Sequence, residues 1–141
     1  MRVYWIDGCS DNEIVFNKKY DLAGSILNLY MKYKDELIRS MEFLAQDERT
    51  IFIGQSVKFS GNAIFNTLES IDNSKKIETP VFEDVQMGLS TGLALNGFVS
   101  VSCYPRFDFL ICASNQLVSH LDKIEYMSKG KMRPRVIIRT S

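Results

Sequence analysis

TPVFEDVQMGLSTGLALNG, residues 79–97, reads as the end of a buried strand, a tight entry, an acid at Glu83 and then a helix. Gly88 and Gly92 stand four residues apart, so they share one helix face and give it a side without Cβ atoms. An interior glycine costs about 1 kcal/mol against alanine, so a pair of them predicts a compensating close approach by another backbone or helix. Gly97 stands where a helix stop is expected. Glu83 falls in the first turn, between Phe82 and Val85, and has two readings from the residues alone. An acid there complements the helix dipole, worth about 0.3–1 kcal/mol, and this is the commoner case. An acid with apolar neighbours is also suited to proton transfer.

Outward from this stretch, the chain alternates short apolar runs with helical patterns. Before it, TIFIG ends at Gly54 and KIET ends at Pro80, and both read as buried strands. Between them, SGNAIFNTLESI reads as a loop into a short helix with Ile64, Leu68 and Ile71 on one face, and DNSKK reads as a turn. After it, FVSVSCY is a third strand, rich in β-branched residues and stopped by Pro105. A long helix is predicted from Phe107 to Met127, with Leu110, Ile111, Leu117, Val118, Leu121 and Ile124 among its apolar positions. KGKMRP is a turn and RVIIR a last strand. Toward the start, Leu37, Ile38, Met41, Leu44 and Ala45 continue a helical pattern that begins near Asp21 with Leu27, Tyr30 and Met31; it is secure from Tyr33 to Ala45 and weakened earlier by Gly24. VYWI reads as a strand, DGCSDNE as a turn and IVFNKKY as a second short strand.

Short apolar strands separated by helices predict an α/β fold: three layers, a mainly parallel sheet with helices on both faces and right-handed crossovers. Ligands of such sheets sit beyond the carboxyl ends of the strands. Gly54–Gln55, the stretch from Thr79 to Glu83 and that from Tyr104 to Phe109 all follow strands. All three are therefore expected on one edge.

Bulk properties narrow the function. The 141 residues suit one domain, which can bury roughly two-thirds of its unfolded surface. Seventeen Lys and Arg balance 17 Asp and Glu, so there is no basic excess to suggest a nucleic-acid partner. Hydrophobic content of 45% and charged content of 24% suit a soluble domain. No apolar run approaches the ~20 residues of a membrane span, and VYWI is too short for a signal-peptide core; a cytoplasmic chain is expected. Cys9, Cys103 and Cys112 form neither a CxxC pair nor a metal spacing, and read as small buried hydrophobes in a reducing compartment. No metal ligand set is expected. His120, the only histidine, reads as an ordinary helix residue.

The spacing T-P-x-x-E-x-x-x-x-G-x-x-x-G-x-A-x-x-G resembles the pyrimidine-binding module of thiamine-diphosphate enzymes, in the transketolase-like branch. The closest likeness is to the beta subunit of the decarboxylating component of 2-oxoacid dehydrogenases. It runs from about Tyr33 to the end. YKDELIRSMEFLAQDERTIFIGQSV is similar to the family's opening helix, first strand and G-E-D-V turn. RFDFLICASNQLVSHL is similar to its F-x-D-[FY] helix with a later Gln, here Gln116, and RVIIRTS to its I-R-x-P strand. The resemblance implies thiamine diphosphate as cofactor. It places at Glu83 the acid that hydrogen-bonds a ring nitrogen of the aminopyrimidine, and at Phe109 the aromatic on which that ring stacks; read without the family, Phe109 is a core residue at a helix start. Phe107 and Tyr104 are secondary candidates for cofactor contact, as is Gln55 in the turn.

Three departures stand out. The turn acid is Gln55, followed by Ser56 instead of Asp. CYPRFDF replaces E-x-Q-F-A-D-F, with Arg106 where the family has an aromatic. The first 20 to 30 residues have no counterpart, so the expected division is a 1–32 extension and a 33–141 pyrimidine-binding domain. The G-D-G…N signature of the module that holds diphosphate and metal is not in the sequence, and the Asp-Gly pair of WIDGCSDNEI lacks both the preceding Gly and a later Asn at suitable spacing. The resemblance therefore implies that a partner module holds the diphosphate and Mg2+, that this chain works in a homo- or hetero-oligomer, and that alone it is inactive; the sequence is either a piece of a longer chain or a small subunit that works with another chain. Two functions stay open. One is half of a thiamine-diphosphate site for 2-oxo acid decarboxylation or ketol transfer. The other is a non-catalytic interaction subunit that keeps the fold.

Overall fold

The computed structural model describes residues 4–6 and 33–141. The expected turn at DGCSDNE, the strand at IVFNKKY, the helical pattern before Tyr33 and Cys9 lie outside the described residues. Within them the chain runs β1 (Tyr4–Ile6), α1 (Tyr33–Ala45), β2 (Thr50–Gly54), α2 (Ala63–Leu68), β3 (Lys76–Glu78), α3 (Glu83–Leu95), β4 (Val99–Tyr104), α4 (Phe107–Ile111), a π-helical segment Gln116–Leu121, α5 (Ile124–Met127) and β5 (Val136–Thr140).

The five strands form one sheet in the order β1-β5-β4-β2-β3, and every pairing is parallel. Parallel strands need crossovers, which puts helices on the two faces. Strand periodicity then sorts the side chains. Phe52, Val101 and Cys103 pack with Met41 of α1 and Ile64 and Leu68 of α2. Val136, Ile138 and Tyr104 pack with Met87 of α3 and with Leu110, Ala113 and Leu121. The three-layer α/β expectation is what the chain adopts. Arg139, fully buried on β5, donates through Nη2 to the Thr67 hydroxyl, which ties α2 to the sheet. Its Nε and Nη1 make no hydrogen bond among the described residues, and burial lowers its pKa.

Register sets where the loops leave. Gly54 lies opposite both Glu78 and Cys103, and Cys103 lies opposite Arg139, so the carboxyl ends of four strands fall in a row. The turns after β2, β3 and β4 start side by side on that edge.

Three expectations need correction. KIET is an edge strand, not a buried one: Lys76 is buried while Ile77 is 38% exposed, because β3 has a neighbour on one side only. The long helix over 107–127 is broken. Its backbone tightens at Ala113 N to Leu110 O (2.9 Å), then widens at Asp122 N to Leu117 O (3.0 Å). Leu110 and Leu121 face the sheet, but Ile111 and Val118 are exposed. Apolar spacing is blind to such a break, since no glycine or proline marks it. Finally, Cys103 is buried, with its thiol pushed up to about 11 by burial, whereas Cys112 is exposed at the C-terminal end of α4.

Candidate functional site

The approach of β2 to β4 begins the site. A Cβ on Gly54 would lie 2.1 Å from the Cys103 carbonyl oxygen, so a side chain there cannot be accommodated without parting the strands. Gln55 follows and is buried. Ser56 then adopts a positive φ of 55°, an uncommon conformation for a residue with a side chain. The reason is visible across the edge. The backbone N–H groups of Ser56, Val57 and Lys58 all donate to the Glu78 carboxylate, at 2.5, 2.9 and 2.9 Å. Three convergent N–H groups make an anion-binding nest, which the chain fills with its own acid. The turn carrying Gln55 is thus held at both ends.

Glu83 opens α3 from the neighbouring turn. Its side chain is only 8% exposed, and Oε1 accepts from Gln55 Nε2 at 3.0 Å, 28 residues away in sequence. No hydrogen bond is made to Oε2 among the described residues. One turn along α3, the fully buried Gln86 fastens the helix to the sheet: Nε2 donates to the Cys103 carbonyl (2.9 Å), the Ser102 hydroxyl (3.1 Å) and, more weakly, the Ile53 carbonyl (3.5 Å). Asp84 accepts from Gln116 Nε2 at 3.3 Å, which joins α3 to the 116–121 segment. Glu83 is accordingly presented by a helix start that has little freedom to shift.

Of the residues singled out from sequence, Gln55 and Glu83 are in direct contact. Phe109 is half-buried against the α3-side core, and the Arg106 guanidinium lies 4.4 Å from its ring centroid while pairing with Asp108 at 3.2 Å. Phe107 is 55% exposed. Tyr104 is fully buried in the core; burial raises the pKa of its hydroxyl, and Cys103, Glu83 and Asp84 add to the rise. Glu78 and Gln86 went unnoticed in the sequence. Gln86 had one signal, a polar residue at i+3 from Glu83 on the face that Met87 and Ser90 bury. Glu78 had none beyond its place at the end of a strand. Among the described residues, no cluster of three or more His, Cys, Asp or Glu could hold a metal ion, and no helix is long and apolar enough to cross a membrane.

The outer side of α3 is different in kind. Phe82, Val85 and Leu89 recur at helical spacing and are 58%, 44% and 50% exposed. A Cβ on Gly92 would meet nothing within 4 Å, and one on Gly88 would meet only the Gln116 side chain, at 3.6 Å. The glycine face predicted from sequence exists, but no backbone of the described residues packs on it.

The chain has relatives among known proteins. Over 100 residues the chain is 32% identical to the 3-methyl-2-oxobutanoate dehydrogenase subunit beta of Mycobacterium tuberculosis, covering 68% of this chain and 28% of that protein. The chain is a homologue of 2-oxoacid dehydrogenase beta subunits. It is 26% identical over 113 residues to the 2-oxoisovalerate dehydrogenase subunit beta of Bacillus subtilis, covering 77% of this chain and 35% of that one. It is 28% identical over 101 residues to the pyruvate dehydrogenase E1 component subunit beta of Rickettsia bellii, covering 70% and 31%. No family model matches the chain. This homologue of the beta subunits thus spans roughly a third or less of the length of those relatives, and its parallel sheet with helices on both faces is consistent with a transketolase-like pyrimidine domain.

Proposed function

We propose that the chain forms the pyrimidine side of a thiamine-diphosphate site, completed by a separate chain that holds the diphosphate and Mg2+. One observation carries the reading: a buried carboxylate, Glu83, stands at the ligand edge of a parallel sheet with one oxygen held by Gln55 and the other not hydrogen-bonded within the described residues. That environment suits a ring nitrogen, which presents a single donor or acceptor to one carboxyl oxygen. When bound, the cofactor supplies the nucleophilic carbon and electron sink for cleaving the bond beside a ketone carbonyl. This chain's share is to hold or move a proton at Glu83, to set that group's position through Gln86, and to offer the Phe109 ring for stacking. The substrate class is a 2-oxo acid undergoing decarboxylation or a ketose undergoing ketol transfer. The working assembly is an oligomer in the cytoplasm, with residues 33–141 as the pyrimidine-binding domain and the exposed α3 face, bearing Gly88 and Gly92, turned to the partner.

A second reading has its own support. The Arg106 guanidinium covers Phe109 and pairs with Asp108, so the stacking ring is already occupied; this favours a non-catalytic interaction subunit. Activity of the complex recovered from source cells separates the two. Glu83→Gln should leave association intact and lower thiamine-dependent turnover about 100-fold or more, the usual scale of a lost acid–base group. Turnover within twofold of wild type removes Glu83 from the chemistry and leaves the interaction subunit as the function.

A further inference from the structure

An amide can donate a hydrogen bond to a carboxyl group but cannot take its proton, and this gives the contact between Gln55 and Glu83 a direction. Gln55 Nε2 donates to Glu83 Oε1 at 3.0 Å, and both residues are 8% exposed. The opposite orientation of the amide would set its oxygen against an unprotonated carboxyl oxygen, so the carboxylate form selects the one observed. We propose that Gln55 is a positioning residue that fixes which oxygen of Glu83 exchanges protons. Oε1 is held as an acceptor, and the proton comes and goes at Oε2. The inference rests on the reading of Glu83 as the cofactor-facing acid and adds the route its proton takes.

The physical case has three parts. First, with the amide in the observed orientation an O–H on Oε1 would aim its hydrogen at the hydrogens of Nε2, two donors facing one another, so while that orientation is kept the acid form carries its proton on Oε2. Second, Gln55 cannot readily turn away. Gly54 behind it has no room for a side chain against the Cys103 carbonyl, and Ser56 ahead of it is fixed by three N–H bonds from residues 56–58 to Glu78. Third, Glu83 cannot readily rotate its helix, because Gln86 bonds the next turn to β2 and β4. With the cofactor bound, the O–H bond at Oε2 would break as its proton passed to the ring nitrogen. A carboxylate remains, stabilised by the Gln55 donor; the reverse step restores the acid. In this role Gln55 acts through Glu83.

Two measurements test this. In the chain alone, the side-chain NH2 resonances of Gln55, identified by their loss in Gln55→Met, are followed by 1H–15N NMR from about pH 4 to 8, the range in which a carboxyl group passes between its forms in differing surroundings. The hydrogen-bonded amide proton should lie downfield of its partner, and both should move in one step that Glu83→Gln abolishes. Resonances indifferent to Glu83→Gln overturn the proposal. In the complex, Gln55→Met keeps the side-chain length but removes the donor. Turnover should fall about tenfold or more with KM nearly unchanged, and the acidic limb of its pH profile should move to higher pH. A fall in turnover with an unmoved profile means that Gln55 only holds the fold, and also overturns it. If Gln55→Met does not fold, the resonances are assigned in the wild-type chain and Glu83→Gln still decides. The two readings fail separately: coupled resonances without thiamine-dependent turnover reject the thiamine site alone, and Glu83-dependent turnover without coupling rejects the positioning role alone.

Discussion

Gly92→Ala should have opposite effects on the chain alone and on its assembly. Gly92 is the tenth residue of the 13-residue helix α3, so it carries the full interior penalty of glycine, about 1 kcal/mol against alanine. A Cβ at that position meets nothing within 4 Å, so no steric term opposes the gain. Urea unfolding of the isolated chain should show Gly92→Ala more stable by about 0.5–1 kcal/mol, with an unchanged m-value. In calorimetry this corresponds to a rise of about 2–5 °C in Tm for a chain of this size. If the glycine face seats a partner helix, the same methyl group enters a packed interface, and overpacking of that kind costs about 1–3 kcal/mol. Affinity for the partner should fall roughly 5- to 150-fold. The assay is the pair of numbers from one variant: unfolding of the free chain and titration against the partner. A destabilised free chain would mean that something in the chain already fills the face. A stabilised chain with unaltered partner affinity would refute the assignment of this face to the interface.

Gly54→Ala should be severe where Gly92→Ala is mild: its Cβ would sit 2.1 Å from the Cys103 carbonyl oxygen, a backbone atom, and parting β2 from β4 should lower stability by more than about 2 kcal/mol in urea unfolding. Gln86→Leu removes the amide that donates to the Cys103 carbonyl and the Ser102 hydroxyl, and should cost about 1–3 kcal/mol; a change below about 0.5 kcal/mol would show that water or the sheet ladder already satisfies those groups. Arg106→Ala uncovers the Phe109 ring, so cofactor affinity of the complex should rise severalfold, and Phe109→Ala should weaken it, both read by titration. Without the partner, calorimetry with magnesium and micromolar thiamine diphosphate should be flat, because one carboxyl contact and one aromatic face offer only a few kcal/mol against the association entropy; a clear micromolar isotherm would mean this chain has a diphosphate site of its own.

The strands and α3 were legible because their signals are local. TIFIG and FVSVSCY are short apolar runs with β-branched residues, and Gly97, at a positive φ of 88°, stops α3 where its lack of a side chain matters. The edge position of KIET was not legible, since three residues cannot show whether a strand has one neighbour or two. Nor was the break after Ile111. The apolar positions 110, 113, 117 and 121 keep a helical rhythm through it, so periodicity reports the buried face and not the hydrogen-bond pattern beneath. At the site, sequence gave Glu83 and Gln55 separately. Their contact is a product of register: Gly54 opposite Cys103 and Glu78 brings two turns within reach that lie 28 residues apart.

The departures from the beta-subunit pattern gain a physical sense once placed in three dimensions. Gln55 and Ser56 replace two acids in a turn whose three N–H groups already enclose the Glu78 carboxylate, with Glu83 close by. Further carboxylates there would add like charges to a poorly hydrated edge, and each would need its own donors. An amide at position 55 removes one such charge and supplies a donor to the acid that stays. The substitution therefore leaves Glu83 with a hydrogen-bond donor beside it in place of a second acid. Arg106 acts on the other side of the site in the opposite sense, bringing a cation to the face of Phe109, where an aromatic in its place would have extended the stack. The paired changes make the edge less acidic and more basic than the resembled pattern.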